Sequence, residues 1–202
     1  NQTFGTAMRL GFELVADDDD SRKGPNWPAA PDFPSLASNP ARQKVFGKFD
    51  FVHKPIPGNP ENIVITGNWQ MLNITGVVIP QLIGVQGAPH DGKIWFNKQA
   101  APQVEALWAA WQKASLLDRV LTWGGAFVPR FIRGSTSVLS NHSFGTAFDL
   151  NMAQNGLGVE PARLGQKGCV RELVTIANKH GFYWGGHFTR RDGMHFEIAQ
   201  IK

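Results

Sequence analysis

The order of secondary-structure patterns along the chain limits its fold more than any other feature of the sequence. Short stretches rich in β-branched and aromatic residues occur in blocks and do not alternate regularly with helical patterns. The strand-like stretches are residues 61–67, 71–84, 92–98, 125–135 and 194–201. Apolar residues at helical spacing cover residues 100–123, and a second helical pattern runs over residues 168–181 and ends at Gly181. Blocks of this kind predict an α+β fold.

The first forty residues differ in composition from the rest of the chain. Residues 17–40 combine four consecutive aspartates, a basic pair and repeated prolines, and such a composition favours extended structure. We therefore divide the chain into an N-terminal arm or linker, residues 1–40, and one domain, residues 41–202. Trp27 and Phe33 are candidates to anchor the arm by burial. We identify no export signal in the sequence, because no basic start precedes an apolar run.

Charge and cysteine content narrow the class of function. The 202 residues carry a formal net charge of +4, and the basic residues are scattered along the chain. This pattern gives little support to a nucleic-acid partner and is compatible with an anionic cell wall. No apolar run approaches the ~20 residues that a membrane-spanning helix needs. The single cysteine, Cys169, excludes a disulfide framework and a cysteine-rich zinc site.

Two short segments carry the residues that could perform chemistry. In the first, SNHSFGTAFDLN (residues 140–151), His142 and Asp149 flank Gly145, which permits a tight turn. A strand, a turn and a returning strand could bring both side chains to one point. A catalytic zinc ion usually takes three protein ligands and keeps one position open for water. A third ligand must therefore come from elsewhere in the chain.

The second segment, DGMHFE (residues 192–197), offers that ligand in His195. Glu197, two residues later, would face the same side of a strand and could orient a ligand histidine. Asp192 precedes His195 by three residues and is a carboxylate close to the metal but free to act as a base.

Together the two segments resemble the M15 family of zinc peptidases, which includes D-alanyl-D-alanine carboxypeptidases and phage L-alanyl-D-glutamate endolysins. The family pattern Ser-x-His-x-x-Gly-x-Ala-x-Asp is matched from Ser140 to Asp149, and the later Asp/Glu-x-x-His by Asp192 and His195. The resemblance covers residues 123–198. It implies a DD-peptidase (Hedgehog-like) fold, in which a small antiparallel sheet with flanking helices carries the zinc site.

The resemblance also implies a role for each site residue. One Zn²⁺ per chain would be held by His142, Asp149 and His195. Asp192 would accept the proton of the attacking water and deliver it to the leaving amine. Glu197 would accept a hydrogen bond from a ligand histidine and so fix its orientation.

The family places an arginine that stabilises the transition state within the stretch PRFIRGS. Arg130 and Arg133 both fit that role, and we prefer Arg133 because it adjoins Gly134, where a turn could swing it toward the site. Ser140 and His187 are assigned to substrate binding. The alternative for His187 is an ordinary surface or groove histidine.

By resemblance, the substrate is a peptidoglycan stem peptide cut next to a D-amino acid. We prefer an L-alanyl-D-glutamate endopeptidase, with a D-alanyl-D-alanine carboxypeptidase as the alternative. Such an enzyme would be a secreted, periplasmic or cell-wall-acting protein of a bacterium or phage, and we expect a monomer. Two other classes stay open: a cell-wall binding module without turnover, and an interaction protein with a structural zinc in which His187 is the fourth ligand.

Overall fold

The computed structural model describes residues 27–202, in which short helices surround small antiparallel sheets. The helices are α1 (Asn39–Phe46), α2 (Trp69–Asn73), α3 (Ala101–Lys113) and α4 (Arg171–Lys179). The strands are β1 (Asp50–His53), β2 (Ile63–Thr66), β3 (Ile74–Val78), β4 (Lys93–Asn97), β5 (Trp123–Gly125), β6 (Ala147–Leu150), β7 (Phe182–Trp184) and β8 (His195–Ile198). The mixture of helices and small antiparallel sheets is compatible with the predicted α+β class.

Three antiparallel sheets organise these strands. β1 pairs with β2, and β3 pairs with β4. The third sheet has four strands in the order β5-β6-β8-β7. Its central strands β6 and β8 place Phe148 opposite Phe196 and Asp149 opposite His195. This central pair joins the two segments that the sequence singles out.

Alternation along β6 and β8 gives the four-stranded sheet one apolar and one polar face. Because successive side chains of a strand point to opposite faces, Phe148 and Phe196 share one face and Asp149 and His195 share the other. The rings of Phe148 and Phe196 stack with their centroids 5.6 Å apart, and both are fully buried.

Helix α3 covers the apolar face of this sheet. Its Trp108 and Trp111 are fully buried and contact the ring of Phe148. These two tryptophans are therefore core residues. These aromatic contacts hold β6 and β8 against α3. They thereby also position the polar side chains on the opposite face of the sheet.

Several element predictions need correction. The helix predicted over residues 100–123 ends at Lys113, because Ser115 adopts a positive φ of 59° and reverses the chain. The strand predicted over residues 125–135 is absent as a regular strand, and its residues form isolated bridges instead. The prediction for residues 71–84 holds for β3 alone, whereas the stretches at 61–67, 92–98 and 194–201 contain β2, β4 and β8 as predicted.

Part of the predicted N-terminal arm lies against the domain. Trp27 packs on Trp184 with ring centroids 5.3 Å apart, and its ring is also contacted by the guanidinium groups of Arg171 and Arg191. The side chain of Asn178 donates a hydrogen bond to the carbonyl of Ala29 at 3.0 Å. Residues 1–26 lie outside the described residues, and the domain division at residue 40 stays a prediction.

Candidate metal centre and its cleft

His142 is held by a single turn of 3₁₀ helix at Asn141–Phe144. The hydroxyl of Ser140 caps this turn by accepting a hydrogen bond from the backbone N–H of His142. Gly145 ends it with a left-handed φ of 66°, and a Cβ atom there would lie 2.5 Å from Ile74 Cδ1. Glycine is thus required at this position both for its backbone conformation and for its lack of a side chain.

Hydrogen bonds fix which nitrogen of each histidine faces the site. Nδ1 of His142 lies 2.7 Å from the carbonyl oxygen of Ala126, which can only accept, so Nδ1 carries the proton and Nε2 is free. Nε2 of His195 lies 2.9 Å from the carboxylate of Glu197. In a neutral His195 ring, this contact leaves Nδ1 free to act as a ligand.

Three ligand atoms converge on one point. Nε2 of His142, Nδ1 of His195 and Oδ1 of Asp149 lie 3.2 Å from one another in all three pairs. Ligands 2.0–2.1 Å from a tetrahedral metal ion are separated by about 3.3 Å. The two histidine side chains are almost completely buried, and the Asp149 side chain is 13% exposed.

The electrostatics of this group calls for a cation. Burial acts to raise the pKa of Asp149, but the charges and hydrogen bonds of His142 and His195 hold it well below its usual range. Burial acts to lower the pKa of His195, but its hydrogen bonds with Asp149 and Glu197 raise it to about 10. A positive charge stabilises this arrangement, whether a proton on His195 or a metal ion supplies it, and the three atoms are close enough to hold a metal ion.

A cleft of about 440 Å³ opens beside His195. Asp192 lies in its wall, and within the described residues its Oδ1 is a buried oxygen without a hydrogen-bond partner. Burial raises the pKa of Asp192, although the neighbouring histidines oppose the shift. An acceptor with no partner, beside a candidate metal centre, is suited to take a proton from a bound molecule.

Both predicted arginines line this cleft, but they have different partners. Arg133 donates to the carboxylate of Glu61 at 3.0 Å and to Asn59. Arg130 instead donates to the backbone carbonyl of Phe131 at 3.1 Å. Burial and then the charge of Arg133 lower its pKa, while the carboxylates of Asp149 and Asp192 oppose the shift. Arg130 therefore interacts electrostatically with Asp149 of the candidate metal-binding group, whereas Arg133 forms an ion pair with Glu61.

The structure places the two predicted substrate-binding residues differently. Ser140 lines the cleft, although its hydroxyl already caps the turn at His142. His187 packs between Trp27 and Trp184, and its Nε2 lies 2.8 Å from the carbonyl of Pro28. His187 is not a member of the metal-binding group found within residues 27–202.

Sequence reasoning missed Arg42, a buried residue of α1 that also lines the cleft. Its Nε donates to the side chain of Asn141, the neighbour of His142. Arg42 precedes Asn141 by 99 residues, and nothing in its local sequence distinguishes it. The position of Asn141 inside the first motif is the one signal that could have drawn attention to this corner of the site.

Residues 133–198 match a family model described as D-alanyl-D-alanine carboxypeptidase, of the M15 peptidases. In this segment the chain is similar to the M15 peptidases. The resemblance predicted from the two motifs is confirmed at this level, and it supports a peptidase, hence a hydrolase. No curated protein and no solved structure gives a match to the chain. Within residues 27–202, every helix is too short or too polar to span a bilayer.

Proposed function

We propose that the protein is a zinc-dependent peptidase that cleaves peptidoglycan stem peptides next to a D-amino acid. The observation that carries the proposal is the convergence of three free ligand atoms at 3.2 Å beside a cleft that contains Asp192. The M15 match over residues 133–198 supports the reaction class. We also propose that the four-stranded sheet is the core of a DD-peptidase fold with the zinc site on its polar face.

The donor set fits zinc. Two imidazole nitrogens and one carboxylate oxygen are among the usual protein ligands of a catalytic Zn²⁺. Glu197 bonds to the outer nitrogen of His195, as the supporting carboxylates of zinc-binding histidines do. When bound, zinc would supply Lewis acidity to the peptide carbonyl and to the attacking water.

The protein's own groups would move the proton and balance the charge. Asp192 would take a proton from water as the water attacks the peptide carbonyl, and it would pass that proton to the amine as the C–N bond breaks. Its raised pKa makes it a stronger base than an ordinary aspartate. Arg130 would stabilise the negative charge that develops on the carbonyl oxygen. We favour it over Arg133, our first choice from sequence, because Glu61 already engages Arg133.

Two bonds of the stem peptide are candidates. The sequence of residues 129–151 looks closer to that of the phage endolysins, which cleave the L-alanyl-D-glutamate bond, and an endopeptidase is our first hypothesis. The description of the matching family model favours the terminal D-alanyl-D-alanine bond and a carboxypeptidase. Either activity would place the protein in contact with the cell wall, so we propose that it acts outside the cytoplasm.

Other classes of function receive less support. A binding module without turnover has no use for a carboxylate of raised pKa in the cleft wall. A structural zinc site needs a fourth protein ligand, and His187 is engaged with Pro28 instead.

Digestion of purified peptidoglycan tests the proposal. The zinc-loaded protein should release new peptide termini that mass spectrometry can assign to one of the two bonds. The Asp192→Asn variant should keep the fold and the metal while turnover falls on the order of 10²-fold or more. Unchanged peptidoglycan after prolonged digestion, or near-normal turnover by zinc-loaded Asp192→Asn, would contradict the proposed mechanism.

A further inference from the structure

Two buried donors in the cleft wall lack partners. Nη1 of Arg42 and Nδ2 of Asn141 are both closed off from solvent, and within residues 27–202 neither has a hydrogen-bond partner. Arg42 is 4% exposed and Asn141 1% exposed. Buried polar groups are nearly always hydrogen-bonded, so two neighbouring exceptions in a cleft indicate a place where a bound molecule supplies the partner.

The contact between these side chains sets their orientation. Nε of Arg42 donates to Oδ1 of Asn141. A guanidinium group has no acceptor, so the amide oxygen must face Arg42 and the amide nitrogen must face away. Both unpartnered atoms are therefore donors, and they call for an acceptor.

The positive charge of Arg42 indicates that the missing acceptor is negatively charged. Glu197 is a carboxylate whose charge acts on Arg42, but its Oε2 is bonded to His195 at 2.9 Å. Within the described part of the chain, none of the ion pairs includes Arg42. A buried guanidinium group gains most from an ionised partner, because charge-assisted bonds are about twice as strong as neutral ones.

We propose that Arg42 and Asn141 form a subsite for a substrate carboxylate next to the bond that is cleaved. The inference rests on the proposed function, because it places the carboxylate of the proposed peptide substrate in the part of the cleft beside His195 and Glu197. It makes Arg42, which lies outside the M15 match at residues 133–198, a specificity-determining residue. The carboxylate has two possible sources: the C-terminus of a D-alanyl-D-alanine peptide, or the α-carboxylate of D-glutamate.

The test compares each acid with its amide. The probes are diacetyl-L-lysyl-D-alanyl-D-alanine, with a free or amidated C-terminus, and acetyl-L-alanyl-D-glutamate with its γ-carboxyl capped and its α-carboxyl free or amidated. The measured quantity is the ratio of kcat/KM for acid over amide, which is independent of the fraction of folded enzyme. The wild-type protein should prefer the acid of one pair, and that pair identifies the source.

Arg42→Gln should lower this acid-to-amide ratio by about 10- to 100-fold, the range expected for hydrogen bonds to charged groups. Arg42→Lys keeps the charge and should recover part of the preference. Arg163→Gln removes an arginine that pairs with Glu160 away from the cleft, so the ratio should not change. In zinc-loaded Asp192→Asn protein, whose turnover is slow enough for binding to be measured, calorimetry should show the same loss of preference for the acid on adding Arg42→Gln.

The possible failures are distinguishable. Absence of cleavage of all four peptides by zinc-loaded wild-type protein would count against the proposed function. Cleavage with an equal loss on acid and amide in Arg42→Gln would reject the carboxylate subsite. Loss of zinc from Arg42→Gln, with the ratio unchanged, would assign Arg42 to holding Glu197 and His195 in place.

Discussion

Arg130 and Arg133 line the same cleft but have different partners. Arg133 is 39% exposed and is held by Glu61, whose carboxylate also accepts from the N–H of Gly134. Arg130 is within electrostatic range of Asp149 and Asp192.

Kinetics on zinc-loaded variants should separate the two arginines. Arg130→Ala should lower kcat by about 100-fold or more with little change in KM, because a charge aimed at the developing oxyanion acts chiefly in the transition state. Arg133→Ala should keep kcat within a few-fold. A larger loss of kcat in Arg133→Ala than in Arg130→Ala would restore our choice from sequence.

At the residue scale, the sequence motifs contain the three candidate metal ligands but not the residues that surround them. His142, Asp149 and His195 lie in compact motifs, and alternation along a strand places Glu197 on the same side as His195. The structure brings these residues together as predicted, although metal binding itself stays a prediction. Arg42 is brought to the site by tertiary packing. Glu61, which pairs with Arg133, is 72 residues away from it in the sequence. Spacing within a motif holds no information on either contact.

Among the elements, the turn that carries His142 depends on Gly145. This turn is fitted against strands β3 and β4, since the missing side chain would meet Ile74 and the backbone nitrogen of Asn97. The N–H of Asn97 also donates to the carbonyl of Gly145 at 2.7 Å. The position of a metal ligand is thereby coupled to a separate two-stranded sheet.

Replacing Gly145 by alanine should damage both stability and metal binding. Gly58 is a matched control, because it too has a positive φ, 76°, but its side-chain space is open. Gly58→Ala should cost about 1–2 kcal/mol for the left-handed conformation. Gly145→Ala should cost about 2–5 kcal/mol, since overpacking adds to that strain.

Urea unfolding and zinc content measure these two effects. The Gly58→Ala protein should keep one zinc ion per chain, whereas the Gly145→Ala protein should bind zinc more weakly because His142 is displaced. Equal losses of stability in the two variants would show that packing against Ile74 is unimportant.

The elements that were mispredicted have local physical causes. Residues 125–135 have the composition of a strand, but Pro129 has no N–H, and the N–H groups of Val128 and Arg130 bond to the turn that carries His142. These residues support the turn instead of joining a sheet. The predicted helix over residues 100–123 stops because Ser115 takes a left-handed conformation, which no residue type in that stretch announces.

For the molecule as a whole, His187 joins the described end of the N-terminal arm to the domain. Its ring lies between Trp27 and Trp184, and burial lowers its pKa, partly offset by the bond to Pro28. The residues Trp27 and Pro28 of the arm therefore pack against a neutral His187. Because the unfolded chain binds this proton more readily than the folded one, His187 makes stability fall as the pH drops below about 6.5.

Unfolding at pH 7.5 and pH 5.0 tests this linkage. The loss of stability between the two pH values should be smaller in His187→Gln than in the wild-type protein. His90→Gln, at an exposed position, should lose as much as the wild type does. An identical loss in His187→Gln and wild type would show that the arm does not depend on a neutral His187.

The carbonyl of Ala126, which orients His142, has a consequence for how this protein can be taken apart. It belongs to the stretch just after β5, before the segment that matches the M15 model begins at residue 133. The tryptophans of α3 that support β6 and β8 also precede that segment. Expressed by itself, the M15-like segment would therefore lack both the carbonyl group that orients His142 and the tryptophan rings that pack against β6 and β8.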